Sequence, residues 1–319
     1  MELPPLLRQG VDAALAGTGL SDLSRAAGML SARYRAEVRD GRFHLSDDLA
    51  ARAYLATRLP ATFAAVRAAM GALAEARPDF SPADLLDLGA GPGTVFWAAM
   101  DCWPDLGRAL LVEGSPAIRA WGERLAREAP VPAAWQAGNV AKPLEGVAPH
   151  DLVTLAYVLD ELAEAERGPL IDRLWHLTRD TLLVVEPGTP AGWERILAAR
   201  DRLIAAGAFL LAPCPHVAAC PLAAPDWCHF ARRVARSRLH RQAKGAEVPW
   251  EDEKFIYLAA SRFPGQLLAA RVIAPPRLAS GQARLKLCQA DGRAQERLFT
   301  KREGADFKQA RRADWGDAL

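Results

Sequence analysis

The chain has 319 residues, 50% of them hydrophobic, with 40 basic against 38 acidic side chains and a formal net charge of +2. That length allows two domains with sizeable cores, and the near balance of charge excludes whole-molecule electrostatics as a source of nucleic-acid affinity, leaving local patches. The opening Met1-Glu2-Leu3-Pro4-Pro5 lacks a basic and then apolar leader, and the most apolar stretch, Leu203 to Pro213, is far shorter than the ~20 residues that cross a bilayer. A cytoplasmic protein without membrane contact is therefore expected, in which five cysteines serve as free thiols or metal ligands rather than disulfides.

Residues 1–80 are rich in Ala, Leu and Arg, and Leu55, Leu59, Phe63, Val66 and Met70 recur at helical spacing, which predicts a helical N-terminal region closed by Pro78 and Pro82. From 81 to 209 short apolar runs alternate with helical segments: Leu85 to Leu88, Ala109 to Val112, Asp151 to Tyr157 and Thr181 to Val185, with a weaker candidate near Trp135. Such alternation predicts crossover units and a doubly wound α/β domain with a parallel sheet. In the third region, 210–319, Pro213, Pro215, Pro221 and Pro225 punctuate a cysteine-bearing loop that leads into a basic segment ending near Lys244. Beyond Phe255, Leu267 to Ile273 and Ala283 to Cys288 read as strands, with Pro275-Pro276 and Asp291-Gly292 as turns, so this module is expected to be partly β. There is no internal repeat and no low-complexity tract.

The first apolar run of the α/β region ends in Asp87-Leu88-Gly89-Ala90-Gly91-Pro92-Gly93-Thr94, a glycine-rich turn between a buried strand and a helix. Glycines let a ligand approach the backbone, and a helix N-terminus offers unsatisfied N–H groups. The spacing is neither the GxGxxG of dinucleotide folds nor the GxxxxGK[ST] of triphosphate loops. Asp87 would repel a pyrophosphate but suits the ammonium or sulfonium end of S-adenosylmethionine, and Glu113, ending the next run, sits where an acceptor holds both ribose hydroxyls. The expected cofactor site therefore comprises Asp87, Gly89, Ala90, Gly91, Gly93, Thr94 and Glu113. The loop with both acids resembles the first two motifs of class I methyltransferases, and by that resemblance Asn139 or a group near it would face the adenine.

The chemistry of transfer is not legible. The stretch Ala156-Tyr157-Val158-Leu159-Asp160-Glu161-Leu162 carries no Asn-Pro-Pro-Tyr and no cysteine for covalent attack. Asp160 and Glu161 are expected to favour a helix N-terminus by charge rather than to act as bases, and catalytic residues stay unassigned. The fifth strand exits through Glu186-Pro187-Gly188-Thr189-Pro190, readable either as a wall of the ligand site or as a structural turn.

Cys214, Cys220 and Cys228 lie within fifteen residues, among prolines and polar residues, and Cys288 on a later strand is the natural fourth ligand, while Cys102 sits in the α/β region as a structural thiol. Four thiolates hold either tetrahedral zinc or an iron–sulfur cluster. The gaps of five and seven residues lack the short knuckle of zinc sites, and Cys-Pro pairs occur in ferredoxin-like ligand loops.

Together the glycine loop, Glu186-Pro187-Gly188-Thr189-Pro190, Cys214-Pro215-His216, Cys220-Pro221, Trp227-Cys228-His229-Phe230 and Trp315-Gly316-Asp317 resemble the methyltransferase-like family that works in assembly of the mitochondrial small ribosomal subunit and has bacterial relatives. The resemblance runs from about Ala53 to the C-terminus. It implies a 4Fe-4S cluster on Cys214, Cys220, Cys228 and Cys288, with His216 and His229 as rival ligands for zinc and otherwise as hydrogen-bonding neighbours.

Arg232, Arg233, Arg236, Arg238, Arg241 and Lys244 follow the third cysteine with no acid among them, and Lys301, Arg302, Lys308, Arg311 and Arg312 repeat the theme. A helix carrying the first set would present a positive surface beside the metal, suited to RNA phosphates. With the resemblance, these features imply a monomeric S-adenosylmethionine-binding protein that associates with the small ribosomal subunit and its rRNA and supports assembly or translation. The alternatives are an active rRNA methyltransferase and a small-molecule methyltransferase with a zinc module.

Overall fold

The structure, a computed structural model, describes residues 1–36, 44–266 and 268–319. Four helices open the chain: α1 (Pro5–Leu15), α2 (Leu20–Arg35), α3 (Asp48–Thr57) and α4 (Leu59–Ala76). Of the helical spacing read from the sequence, Leu59, Phe63, Val66 and Met70 are buried on α4 and Leu55 on the preceding α3, and Pro60 sits in the first turn of α4, where its missing N–H costs no helical bond.

Then follow β1 (Asp84–Leu88), α5 (Thr94–Cys102), β2 (Arg108–Glu113), α6 (Pro116–Leu125), β3 (Ala133–Ala137), β4 (His150–Ala156), α7 (Glu164–His176), β5 (Thr178–Pro187) and α8 (Pro190–Ala205). The chain continues through β6 (Phe209–Ala212), β7 (Phe230–Ala235), α9 (Arg238–Lys244) and β8 (Trp250–Ser261). It ends with β9 (Ala270–Val272), β10 (Arg277–Ala279), β11 (Gln282–Gln289), β12 (Ala294–Thr300) and α10 (Ala305–Arg312).

The main sheet runs β3-β2-β1-β4-β5-β8-β6, with β7 also paired to β8. Strands β1 to β5 are parallel, whereas β8 is antiparallel to β5. Every residue of β1 is buried, as a central strand covered on both faces requires. This order with its antiparallel strand is the Rossmann-like class I methyltransferase arrangement, and its direction of winding reverses between β1 and β4, where such sheets bind ligands at the strands' carboxyl ends.

The five expected α/β strands all form. Three others complete the main sheet: β6, which straddles the expected boundary at 209/210, and β7 and β8, which come from the region assigned to the C-terminal module. One hydrophobic core extends from Leu7 to Ala260, crossing both expected boundaries at 80/81 and 209/210. A second, smaller core unites Val272, Leu285, Leu287, Phe299 and Phe307 of the four-stranded sheet β9–β12 and α10. The expected strand at 267–273 is shorter, Ala270–Val272, and Leu267 lies outside the described residues. Among the described residues no helix is long and apolar enough to cross a membrane.

Candidate functional site

The turn after β1 is built by backbone that only glycine adopts freely. Gly89, Gly91 and Gly93 all have positive φ, at 70°, 55° and 80°. Gly89 packs so tightly that a Cβ there would lie 2.5 Å from Val158 Cγ2, whereas a Cβ on Gly91 would meet nothing within 4 Å. Gly93 precedes α5 without any side-chain cap, leaving that helix's first amides unclaimed by side chains.

Gly89, Gly91, Glu113 and Asn139 line one cleft of about 870 Å³, within the range of small-molecule sites. The other four expected cofactor residues lie behind its wall. Asp87 is fully buried, Ala90 is 4% exposed, Gly93 backs onto the Trp135 ring, and Thr94 is enclosed. Asp87 accepts from Thr154 Oγ1 at 2.7 Å through Oδ1, while Oδ2 has no partner among the described residues. Burial pushes its carboxyl up to about 7.

Glu113 braces the glycine turn: Oε2 accepts from the Gly91 N–H at 2.8 Å and Oε1 from the Ser115 N–H at 2.7 Å. Carboxylate oxygens have spare lone pairs, so this bracing leaves acceptor capacity toward the cleft. Asn139 Oδ1 accepts from the Ala141 N–H at 2.9 Å, which turns the chain at the cleft rim and leaves its amide group as donor.

Beyond the glycine turn the cleft opens into a polar lobe. Tyr157, directly after β4, is the only non-glycine residue with positive φ (58°) among the described residues, a strained setting typical of functional positions. Its hydroxyl donates to Glu253 Oε1 at 3.2 Å, and Arg58 Nη2 lies 3.4 Å from the same oxygen. Asp160 and Glu161 do not open a helix, because α7 begins at Glu164 with Glu166 reaching back to the Ala163 N–H. Asp160 is instead buried, and Glu161 stands on the cleft wall. Surrounding protein and the nearby acids Asp160, Glu113 and Glu186 push the Glu161 carboxyl up to about 8, although the side chain faces the open cleft. Glu186 is fully enclosed and holds the turn after β4 by accepting from the Leu159 N–H at 3.0 Å while pairing with Arg195 Nε at 2.7 Å.

Cys214, Cys220 and Cys228 come from the loop between β6 and β7, and Cys288 from β11, yet all four line a single cavity, bordered also by Arg200 of α8 and Arg271 of β9. Cys102 lies apart, at the end of α5. Burial pushes the Cys214 and Cys228 thiols up and Cys288 up to about 12, so at neutral pH a metal would have to displace their protons. Among the described residues no three His, Cys, Asp or Glu side chains converge on one ion position. His216 Nε2 approaches Cys288 Sγ at 3.4 Å, and His229 is stacked against Trp227 with ring centroids 5.0 Å apart.

The cysteine-bearing loop is tied to the cleft lining through Trp227, the neighbour of Cys228 in the chain. Trp227 Nε1 donates to the Gly188 carbonyl at 3.1 Å, and the Gly188 N–H donates to the Lys254 carbonyl at 2.9 Å. Pro187, Gly188 and Thr189 line the cleft, so the turn after β5 is both a structural joint and part of the cleft wall.

The basic segment after Cys228 is not one helix. Arg232 and Arg233 lie on β7, because Phe230 and Val234 point into the core at strand spacing and the segment pairs with β8. That pairing brings acids the local sequence lacks: Arg233 binds Asp252 through two bonds of 2.9 and 3.1 Å, and Arg236 and Lys244 each reach Glu251 at 2.9 Å. Lys301, Arg302, Lys308, Arg311 and Arg312, by contrast, are exposed and form no ion pair among the described residues.

The family model described as "Mitochondrial small ribosomal subunit Rsm22" matches residues 48–319, spanning every candidate residue of the cleft's glycine turn and of the cysteine cavity. The chain belongs to that family. The human "Ribosome assembly protein METTL17, mitochondrial" is 30% identical across 83% of this chain and 61% of its own length, so the chain spans less than two thirds of that relative. Among solved structures, an O-methyltransferase family protein from Burkholderia thailandensis is similar with a TM-score of 0.46 and 14% identity, covering 78% of this chain and 74% of the other. Magnesium protoporphyrin IX methyltransferase from Synechocystis PCC 6803, with bound SAH, gives 0.41 and 15%, covering 73% and 94%.

Proposed function

We propose that this member of the Rsm22 family binds S-adenosylmethionine in the cleft beside Gly91 and Glu113, associates with the small ribosomal subunit and its rRNA, and supports subunit assembly. The observation that carries the reading is the family match, whose span contains Gly89, Gly91, Glu113 and Asn139 of the cleft and the whole four-cysteine cavity. Exposed cations on and beside α10 supply a phosphate-binding surface. In this reading Cys214, Cys220, Cys228 and Cys288 hold a 4Fe-4S cluster, for which the shared apolar cavity gives support. When bound, the cluster would join three thiolates of the loop after β6 to one, Cys288, on the small sheet.

The rival reading, an active rRNA methyltransferase, is favoured by the polar lobe, where Tyr157, Glu161 and Glu253 stand next to the cofactor side of the cleft. Co-sedimentation with immature small subunits, combined with transfer of a tritiated methyl group, tests both. Association without label in the RNA selects the assembly role, labelled RNA selects the enzyme, and absence from the subunit fraction rejects both. Iron and sulfide analysis after anaerobic purification tests the cluster, and stoichiometric zinc without sulfide rejects it.

A further inference from the structure

Arg200 and Arg271 are each 1% exposed, and both border the cysteine cavity. Arg271 stands opposite Cys288 in the pairing of β9 with β11. Its guanidinium bonds only to carbonyl oxygens, Pro213 at 3.1 Å and Gly316 at 2.8 Å, and it has no carboxylate partner among the described residues. Arg200 bonds to the carbonyls of His216 at 2.9 Å and Ala218 at 2.7 Å, while its Nε has no partner. Its one acidic neighbour, Asp201, is 3.1 Å away with a side chain 72% exposed, so water screens most of that attraction.

An arginine cannot shed its proton, and a buried cation without an anion is strongly destabilising. Two such cations border one cavity, whose lining includes four cysteines and, among the described residues, no carboxylate. Four thiolates on a doubly charged metal centre carry a net charge of about −2, whether the centre is zinc or an oxidised 4Fe-4S cluster. We infer that Arg200 and Arg271 are the built-in counter-ions of an anionic four-thiolate centre, and that they set its retention and, for an iron–sulfur centre, its reduction potential. The inference rests on the proposal that the four cysteines hold a metal centre, but it assigns a role to residues outside the ligand set. Each arginine also fastens the loop that carries the ligands, so positioning and charge act at the same place.

The test compares Arg200→Met, Arg200→Lys, Arg271→Met and Arg271→Lys in the full chain, each assayed for iron, zinc and sulfide, for metal loss to a chelator, and for thermal unfolding with and without metal. The Met variants are expected to lose metal at least tenfold faster than wild type, and the Lys variants within about threefold of it. If the bound centre is iron–sulfur, its potential falls in the Met variants and is held by Lys, because nearby positive charge favours the more negative reduced state. Unfolding separates charge from anchoring. In the metal-free protein removal of an uncompensated cation raises the unfolding temperature, while in the metal-loaded protein the same change lowers it. Equal metal retention in Met and wild type, equal impairment of Met and Lys, or a lowered unfolding temperature in both metal states each overturns the inference. Should a metal-free or Met protein not fold, the Lys variants decide alone: chelator loss beyond threefold of wild type overturns the inference. A wild-type protein that binds no metal rejects the metal centre itself, whereas zinc in place of iron rejects only the cluster.

Discussion

Gly89 and Gly91 share a left-handed backbone, but a side chain added at each would meet opposite surroundings. Gly89→Ala forces a Cβ against Val158 and strains φ, so it should destabilise the protein by about 2 to 4 kcal/mol in chemical denaturation. Gly91→Arg carries the φ strain alone, about 1 to 2 kcal/mol, and projects into open cleft. It should therefore stay folded while calorimetry with SAH shows no binding, and unchanged affinity would reject the cofactor assignment. Asp87 gives a pH signature. Its folded carboxyl titrates near 7 rather than near 4, so its protonated form stabilises the fold below pH 4 and that contribution is lost as pH rises through 7. Between pH 5 and 8 the wild type should lose about 3 kcal/mol more than Asp87→Asn, measured as the difference of their urea-unfolding free energies. The glycine turn was legible because its spacing and flanking acids are contiguous. Tyr157, Arg200 and Arg271 were not, because each is defined by partners on distant elements and no local pattern marks it.

At the scale of elements, runs flanked by turns announced β1, β2, β4 and β5, since a central parallel strand must be apolar on both faces. β7 and β8 were hidden for a physical reason. Phe-Ala-Arg-Arg-Val-Ala has strong helix formers, and the first half of β8 is a charged run, Glu251-Asp252-Glu253-Lys254, so only their mutual pairing makes them strands. The same pairing shrinks the basic patch by placing Asp252 opposite Arg233 and bringing Glu251 within reach of Arg236. The loop between β6 and β7 supplies the joint that no sequence pattern could reveal. Trp227→Phe keeps the ring beside Cys228 but removes the donor to Gly188, a hydrogen bond worth about 1 kcal/mol. SAH affinity is expected to fall about fivefold with metal content unchanged. Identical titration curves for variant and wild type would show that the turn after β5 does not need this tether to shape the cleft.

For the whole molecule, two cores meet around the cysteine cavity: β8 belongs to the large one, β11 to the small one, and thiols come from both sides. The small unit has few apolar residues of its own, so its attachment to the large one depends on this junction. It also carries Lys308, Arg311 and Arg312, exposed on α10, away from the acids that neutralise the β7 segment. Their replacement by Gln removes charge without removing helix-forming residues, so the fold and SAH binding should be preserved. Affinity for small subunits should fall, and the plot of log affinity against log salt should become shallower by roughly 0.7 to 0.9 for each phosphate that is no longer neutralised. Removal of a cysteine proposed as a metal ligand should act differently. Cys220→Ser would loosen the junction that orients the whole surface, lowering affinity at every salt concentration with the slope retained. A shallower slope in both variants would place the cysteines on the proposed RNA-binding surface itself, whereas weaker binding at constant slope would assign them to holding that surface in place.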